Sequence, residues 1–161
     1  MPRVCPHKNK VIKTWNSIHK SSKFKDLFNT IVAILPSSVR VVLKPKGPTY
    51  FAPFERVPTI YISSKSSIED KIIDLSHEIG HWLSRESKTP VSTYSKDQVQ
   101  VALTFWECLQ DDIKLVFQQE EQIAWVAGEA FLRSLPYNFS NKFWSKYKKS
   151  KKYALASYGI Y

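Results

Sequence analysis

The sequence predicts an α+β fold, a small mixed or antiparallel sheet packed on helices. Three observations predict it. Residues 68–83 repeat apolar side chains at helical spacing, placing Ile68, Ile72, Leu75, Ile79, Trp82 and Leu83 on one face. Two short runs rich in β-branched residues, 38–44 and 59–63, precede that stretch. Two more helical patterns follow it, at 98–117 and 120–135. The chain has 161 residues, 43% of them hydrophobic, which suits a single domain over 1–161 with its own core.

Taken in order, residues 1–10 read as a flexible basic arm. Val11, Trp15 and Ile18, then Phe24, Leu27, Phe28, Ile31, Ile34 and Leu35, suit one or two helices. Ser21-Ser22 is a candidate break and Pro36 ends the pattern. Val39, Val41, Val42 and Leu43 mark a strand, and Pro45, Gly47 and Pro48 a turn. Residues 50–58, aromatic and punctuated by proline, read as an ordered loop. Thr59, Ile60, Tyr61, Ile62 and Ser63 form a second strand, and Pro58 at its start suits an edge position.

Ser66 with Glu69 matches a capping box, so the next helix is expected to begin near Ser67. Residues 84–97 read as a polar connection. Pro136 closes the last of the two downstream helices. The basic, aromatic segment 136–161 then combines an amphipathic lysine-rich stretch, with Phe143, Trp144 and Tyr147, and an apolar tail expected to dock on the body.

The net charge of +10 is uneven. Residues 1–46 carry ten Lys/Arg against one acid, 47–135 eight against thirteen, and 136–161 six lysines and no acid. The basic ends fit either a solvated lysine surface or contacts to nucleic acid or an acidic partner. No apolar run approaches the roughly 18–20 residues that span a bilayer. The first twenty residues lack the apolar centre of a signal peptide. Two cysteines, Cys5 and Cys108, are too few for a disulfide framework. A cytoplasmic protein without membrane contact is the expectation. Cys5-Pro6-His7 has no partner pair that would complete a metal site.

The chemistry concentrates in His77-Glu78-Ile79-Gly80-His81. On a helix, residues four apart share a face, so His77 and His81 can offer two imidazole nitrogens to one metal ion. Glu78 is rotated away from both and can act on a water molecule without ligating the metal. Two neutral nitrogen ligands and a carboxylate base are what a zinc hydrolase requires. A lone helical histidine is usually structural. A pair at this spacing, with the intervening Glu on an amphipathic helix, is a far more specific signal. Gly80, without a side chain, allows another backbone to approach.

A catalytic zinc takes a third protein ligand. The remaining histidines, His7 and His19, lie upstream, so a downstream carboxylate is the better choice. Glu121 shares a helix face with Ala124, Trp125, Gly128 and Leu132, small enough in part for close helix contact. Glu107 opens Glu-x-x-x-Asp with Asp111, the ligand-plus-supporting-carboxylate pairing of thermolysin-like enzymes. Glu120 and Glu129 are weaker choices.

Tyr50, the 59–63 strand, His-Glu-x-Gly-His and the later Glu-x-x-Ala together resemble the ImmA/IrrE-type metallopeptidases, in particular small stand-alone members encoded by phages and prophages. The resemblance spans about residues 50–161 and includes the ending Lys152-Tyr153-Ala154-Leu155-Ala156-Ser157-Tyr158. Trp125 stands where many relatives have Asn. The resemblance implies a zincin-like fold and a gluzincin-type peptidase acting on a protein or peptide, in the host cytoplasm if the chain is phage-encoded. It maps the third ligand to Glu121, so His77, His81 and Glu121 would hold Zn²⁺ and Glu78 would be the catalytic base. An exposed edge at Thr59, Ile60, Tyr61 and Ile62 would align the substrate by strand addition. Tyr50 and Tyr94 are candidates for stabilising the oxyanion. The other reading is a non-catalytic, zinc-containing binding protein that uses its basic ends. Glu78 speaks against it, since a structural site has no use for a base.

Overall fold

A computed structural model describes residues 24–161. The expectations for residues 1–23, including the arm and Cys5-Pro6-His7, lie outside the described residues. Five α-helices and one three-stranded mixed sheet make up the described fold: α1 (Phe24–Ile34), β1 (Arg40–Lys44), β2 (Tyr50–Ala52), β3 (Thr59–Ser63), α2 (Ile68–Glu86), α3 (Lys96–Thr104), α4 (Asp111–Ser134) and α5 (Asn141–Ser157). The expected α+β class is present. No described helix is long and apolar enough to cross a membrane.

The strand order is β1-β3-β2, with β3 parallel to β1 and antiparallel to β2. This corrects two expectations. The 50–58 segment is not all loop, because Tyr50–Ala52 pairs with Tyr61, Ile60 and Thr59. More important, the 59–63 strand is the centre of the sheet and not its edge. Pro58 lies just before the strand, where its carbonyl accepts from the Arg40 amide at 2.9 Å. Both edges of β3 are therefore paired, and Thr59, Ile60 and Ile62 are fully buried.

Helix α2 packs Ile72, Leu75 and Ile79 into the same core as Ile60 and Ile62. Its cap is Ser67, whose Oγ accepts from the Asp70 amide at 3.2 Å, and not the Ser66/Glu69 pair. Such a cap is worth about 1 kcal/mol. Glu69 and Asp70 in the first turn also face the positive end of the helix dipole. The helix continues through Ser84 to Glu86, into the segment expected to be a connection.

The long helix expected over 98–117 is broken. It ends at Thr104, passes through a 3₁₀ turn at Trp106–Cys108 and restarts at Asp111. Asp111 and Asp112 occupy the first turn of α4, where carboxylates are stabilised. From there α4 runs as one uninterrupted helix to Ser134, against α2. The two helices cross at glycines: a Cβ on Gly80 would collide with the Ala124 carbonyl, and one on Gly128 with the Ser76 carbonyl. As numbers rise along one helix they fall along the other at these contacts, so the pair is antiparallel.

Helix α5 buries Phe143 and Tyr147 in the core, and the Tyr147 hydroxyl donates to the Trp125 carbonyl at 3.0 Å. The tail docks as expected. Gly159 takes a left-handed φ of 75° that turns the chain, and the Gln118 side chain donates to the Tyr158 carbonyl at 2.7 Å.

Candidate metal centre

The α2–α4 contact decides what the site contains. His77 and His81 lie one turn apart on α2, and Glu121 reaches them from α4. His77 Nε2 lies 3.1 Å from Glu121 Oε1, His81 Nε2 lies 3.2 Å from Oε2, and the two Nε2 atoms lie 3.2 Å apart. The close approach at Gly80/Ala124 lies beside His81 and one turn from Glu121, and Ser76/Gly128 continues it beside His77, so small residues set the distance that lets a short carboxylate span two helices.

Hydrogen bonds alone do not account for the triangle. If both imidazoles donate to Glu121, their two N–H groups face each other at 3.2 Å. If either Nε2 is unprotonated, its lone pair points at the carboxylate. A cation between the two Nε2 atoms and the carboxylate removes both conflicts. Zinc with nitrogen and oxygen ligands at about 2.0–2.2 Å has tetrahedral edges of about 3.3–3.6 Å. The observed separations of 3.1, 3.2 and 3.2 Å fall just short of the lower end of that range, close enough for the donor set to fit.

His81 is backed by a further carboxylate. Its Nδ1 faces Glu120 Oε1 at 3.5 Å. Glu120 also accepts from Ser84 Oγ, and from Thr89 Oγ1 at 2.7 Å. An Nδ1–H directed at Glu120 leaves the Nε2 lone pair pointing into the triangle. His77 differs: its Nδ1 is buried with no hydrogen-bond partner among the described residues. Its ring instead stacks on Trp125, centroids 4.2 Å apart at 21°. The Trp125 Nε1–H donates to Glu121 Oε1 at 3.0 Å.

Without a metal, these groups perturb one another strongly. Burial disfavours charge on His81, but the Glu120 and Glu121 carboxylates outweigh it and hold the imidazole up at about 10. Burial likewise works against the Glu121 carboxylate, and hydrogen bonds from His77 and His81 pull it well below the usual range. Glu78 is buried, which pushes its carboxyl up; the histidines and the Phe51 backbone act in the opposite direction.

The three donors and Glu78 open onto a cleft of ≈ 710 Å³. One wall is β2 with the residues after it. The other is the α3 face carrying Lys96, Val99, Gln100 and Leu103, together with Phe117 and Tyr158.

Of the residues singled out from the sequence, His77, Glu78, His81 and Glu121 come together here. Glu107 does not: it lies exposed in the 3₁₀ turn, its carbonyl accepting from Lys114 Nζ at 3.3 Å. Thr59, Ile60, Tyr61 and Ile62 are not cleft residues. The Thr59 hydroxyl donates to the Val57 carbonyl at 2.8 Å, and the Tyr61 hydroxyl donates to Glu55 at 2.7 Å. Tyr50 borders the cleft with its hydroxyl accepting from Lys44 Nζ at 3.0 Å, whereas Tyr94 packs on Phe117 and lines a separate groove. Glu120, a weaker candidate for third ligand, instead stands behind His81, and Trp125 and Tyr158 are residues that sequence reasoning gave no role at the site. The helical spacing of Glu121 and Trp125, four apart, was the available signal for one of them. Against family models, curated proteins and solved structures, the chain has no match.

Proposed function

We propose that the protein is a zinc-dependent peptidase with a zincin-like fold, related to the ImmA/IrrE-type metallopeptidases and acting on a protein or peptide in the cytoplasm. The observation that carries this reading is the convergence of His77, His81 and Glu121 to 3.1–3.2 Å of one another, close to the edges of a zinc tetrahedron, with Glu78 beside them. When bound, zinc supplies Lewis-acid activation of water and of the scissile carbonyl. His77, His81 and Glu121 are the residues that hold it.

Glu78 is the proton carrier. A buried carboxyl with a raised pKa takes a proton from water and returns it to the leaving amine. Strand β2, an edge of the sheet among the described residues and beside the cleft, takes the role that the sequence suggested for β3: its backbone can pair with an extended peptide. Tyr158, with its ring edge-on to Trp106 and its carbonyl held by Gln118, offers a phenol to the same cleft.

The test combines metal analysis with one substitution. Purified protein should carry about one zinc per chain, the stoichiometry of a single three-ligand catalytic site. Glu78→Gln should keep the metal yet lose about 10²–10⁴-fold in cleavage of an unfolded protein substrate, the usual loss of a general base. A Glu78→Gln variant that still folds but loses zinc would reassign Glu78 as a ligand.

A second reading, non-catalytic binding, has one observation of its own. Lys142, Lys148, Lys149 and Lys152 are exposed on α5, beside Tyr153, which is 69% exposed. A cationic helix with an exposed ring is chemistry that meets nucleic acid.

A further inference from the structure

The two histidines are supported in different ways. A metal-ligating histidine ordinarily donates its other N–H to an acceptor, which fixes ring orientation and tautomer. His81 has such an acceptor within reach, Glu120 Oε1 at 3.5 Å from its Nδ1. His77 has no acceptor: its Nδ1 is buried and unpartnered among the described residues. What touches the His77 ring is the face of Trp125. The same indole donates its N–H to Glu121 Oε1. One side chain thus contacts two of the three donors, from position 125, one turn beyond Glu121 on α4.

Trp125 is itself immobilised. It is 3% exposed, the Tyr147 hydroxyl holds its carbonyl, and the Tyr147 ring meets it edge-on at 5.3 Å. Trp144 packs edge-on against Tyr147 in turn. Aromatic residues of α5 therefore set the place of the indole. A buried indole N–H needs an acceptor, and the one it has here is the carboxylate of Glu121.

We propose that Trp125 is a positioning residue of the metal centre. Its N–H occupies Glu121 Oε1 and leaves Oε2 as the ligating oxygen, and its ring replaces the missing hydrogen bond in orienting His77. This inference rests on the zinc reading above. Phe at 125 keeps a ring face for His77 but removes the N–H, so both Glu121 oxygens become available to the metal. Leu removes both contacts.

Zinc affinity of the full chain, measured by competition with a chromophoric chelator, should fall about 10-fold in Trp125→Phe and further, towards 100-fold, in Trp125→Leu, the range found when residues supporting metal ligands are lost. Cobalt(II) supplies the readout that lost stability would not move. Its visible absorption should weaken in Trp125→Phe as Glu121 turns from a one-oxygen to a two-oxygen ligand. Ile31→Val, a core change on α1 away from the aromatic residues of α5, is the control. Wild-type protein gives an independent measurement by NMR, in which the Trp125 indole N–H should exchange slowly and shift on zinc addition. Equal zinc affinity and an unchanged cobalt spectrum in Trp125→Phe would overturn the proposal while leaving the zinc reading intact. So would an equal affinity loss in Ile31→Val, or an indole resonance indifferent to zinc. A wild-type protein that binds neither metal would overturn both.

Discussion

Gly80 on α2 lies against the carbonyl of Ala124 on α4 with no room for a Cβ between them. The contact sits one residue from His81 and three from Glu121. Gly80→Ala must therefore push the two helices apart where the donors meet. Overpacking of this kind costs about 1–3 kcal/mol. The expected outcome is a lower denaturation midpoint together with weaker zinc binding, measured by chemical unfolding and by zinc titration. Gly47→Ala offers a contrast: nothing crowds that position, and the loss comes only from its left-handed φ of 92°. It should lower stability without changing zinc affinity.

Glu121→Ala should release zinc, and Glu107→Ala should not. Only the Glu121 carboxylate reaches both histidines, and a zinc–oxygen contact of about 2.0–2.2 Å leaves no role for a distant acid. His77→Ala with His81→Ala should abolish binding altogether. Elemental analysis after dialysis checks this series. Full zinc retention in the double histidine variant would remove the basis of the proposed function.

Asp74 predicts a pH effect on the metal-free protein. Burial, then the nearby Glu78 and Asp70 charges, push its carboxyl up to about 6 from an ordinary 3.8, although Thr49 Oγ1 lies 3.4 Å away. Between these values the folded chain binds more protons than the unfolded chain, so this contribution to stability declines as pH rises. Asp74→Asn carries no charge at any pH. It should be more stable than wild type at pH 7–8 and converge with it below about pH 4. Thermal melts across that interval test the sign.

The exposed lysines of α5 predict salt-dependent binding if they meet phosphates. Affinity for nucleic acid would fall steeply with salt, by a slope set by the number of contacts. Lys142→Glu with Lys149→Glu should reduce that slope. Lys146 should matter little, because it already pairs with Asp70 at 2.8 Å and Glu69 at 3.5 Å. Absence of binding at low salt in a fluorescence titration returns these lysines to a solvated surface.

By itself the sequence determined what local periodicity encodes. The spacing of His77 and His81 follows from the helical repeat, as does the burial of Ile72, Leu75 and Ile79 on the face away from them. The small residues Gly80, Ala124 and Gly128 already marked where two backbones come close. The strand positions also followed from β-branched runs, but their neighbours did not. Whether 59–63 is an edge or a centre depends on what pairs with it, and the three-residue β2 carries too little pattern to announce itself. The break at Phe105–Gln110 was likewise hidden, because apolar spacing runs through it and the two aspartates that restart the helix look like surface acids.

Only the tertiary structure brought Glu121 and not Glu107 to the two histidines, placed Glu120 behind His81 and set Trp125 against His77. Local spacing aligns residues within one helix. The distance between carboxylate and imidazole across two helices is set by how closely their backbones pack, and that is a property of the contact between them.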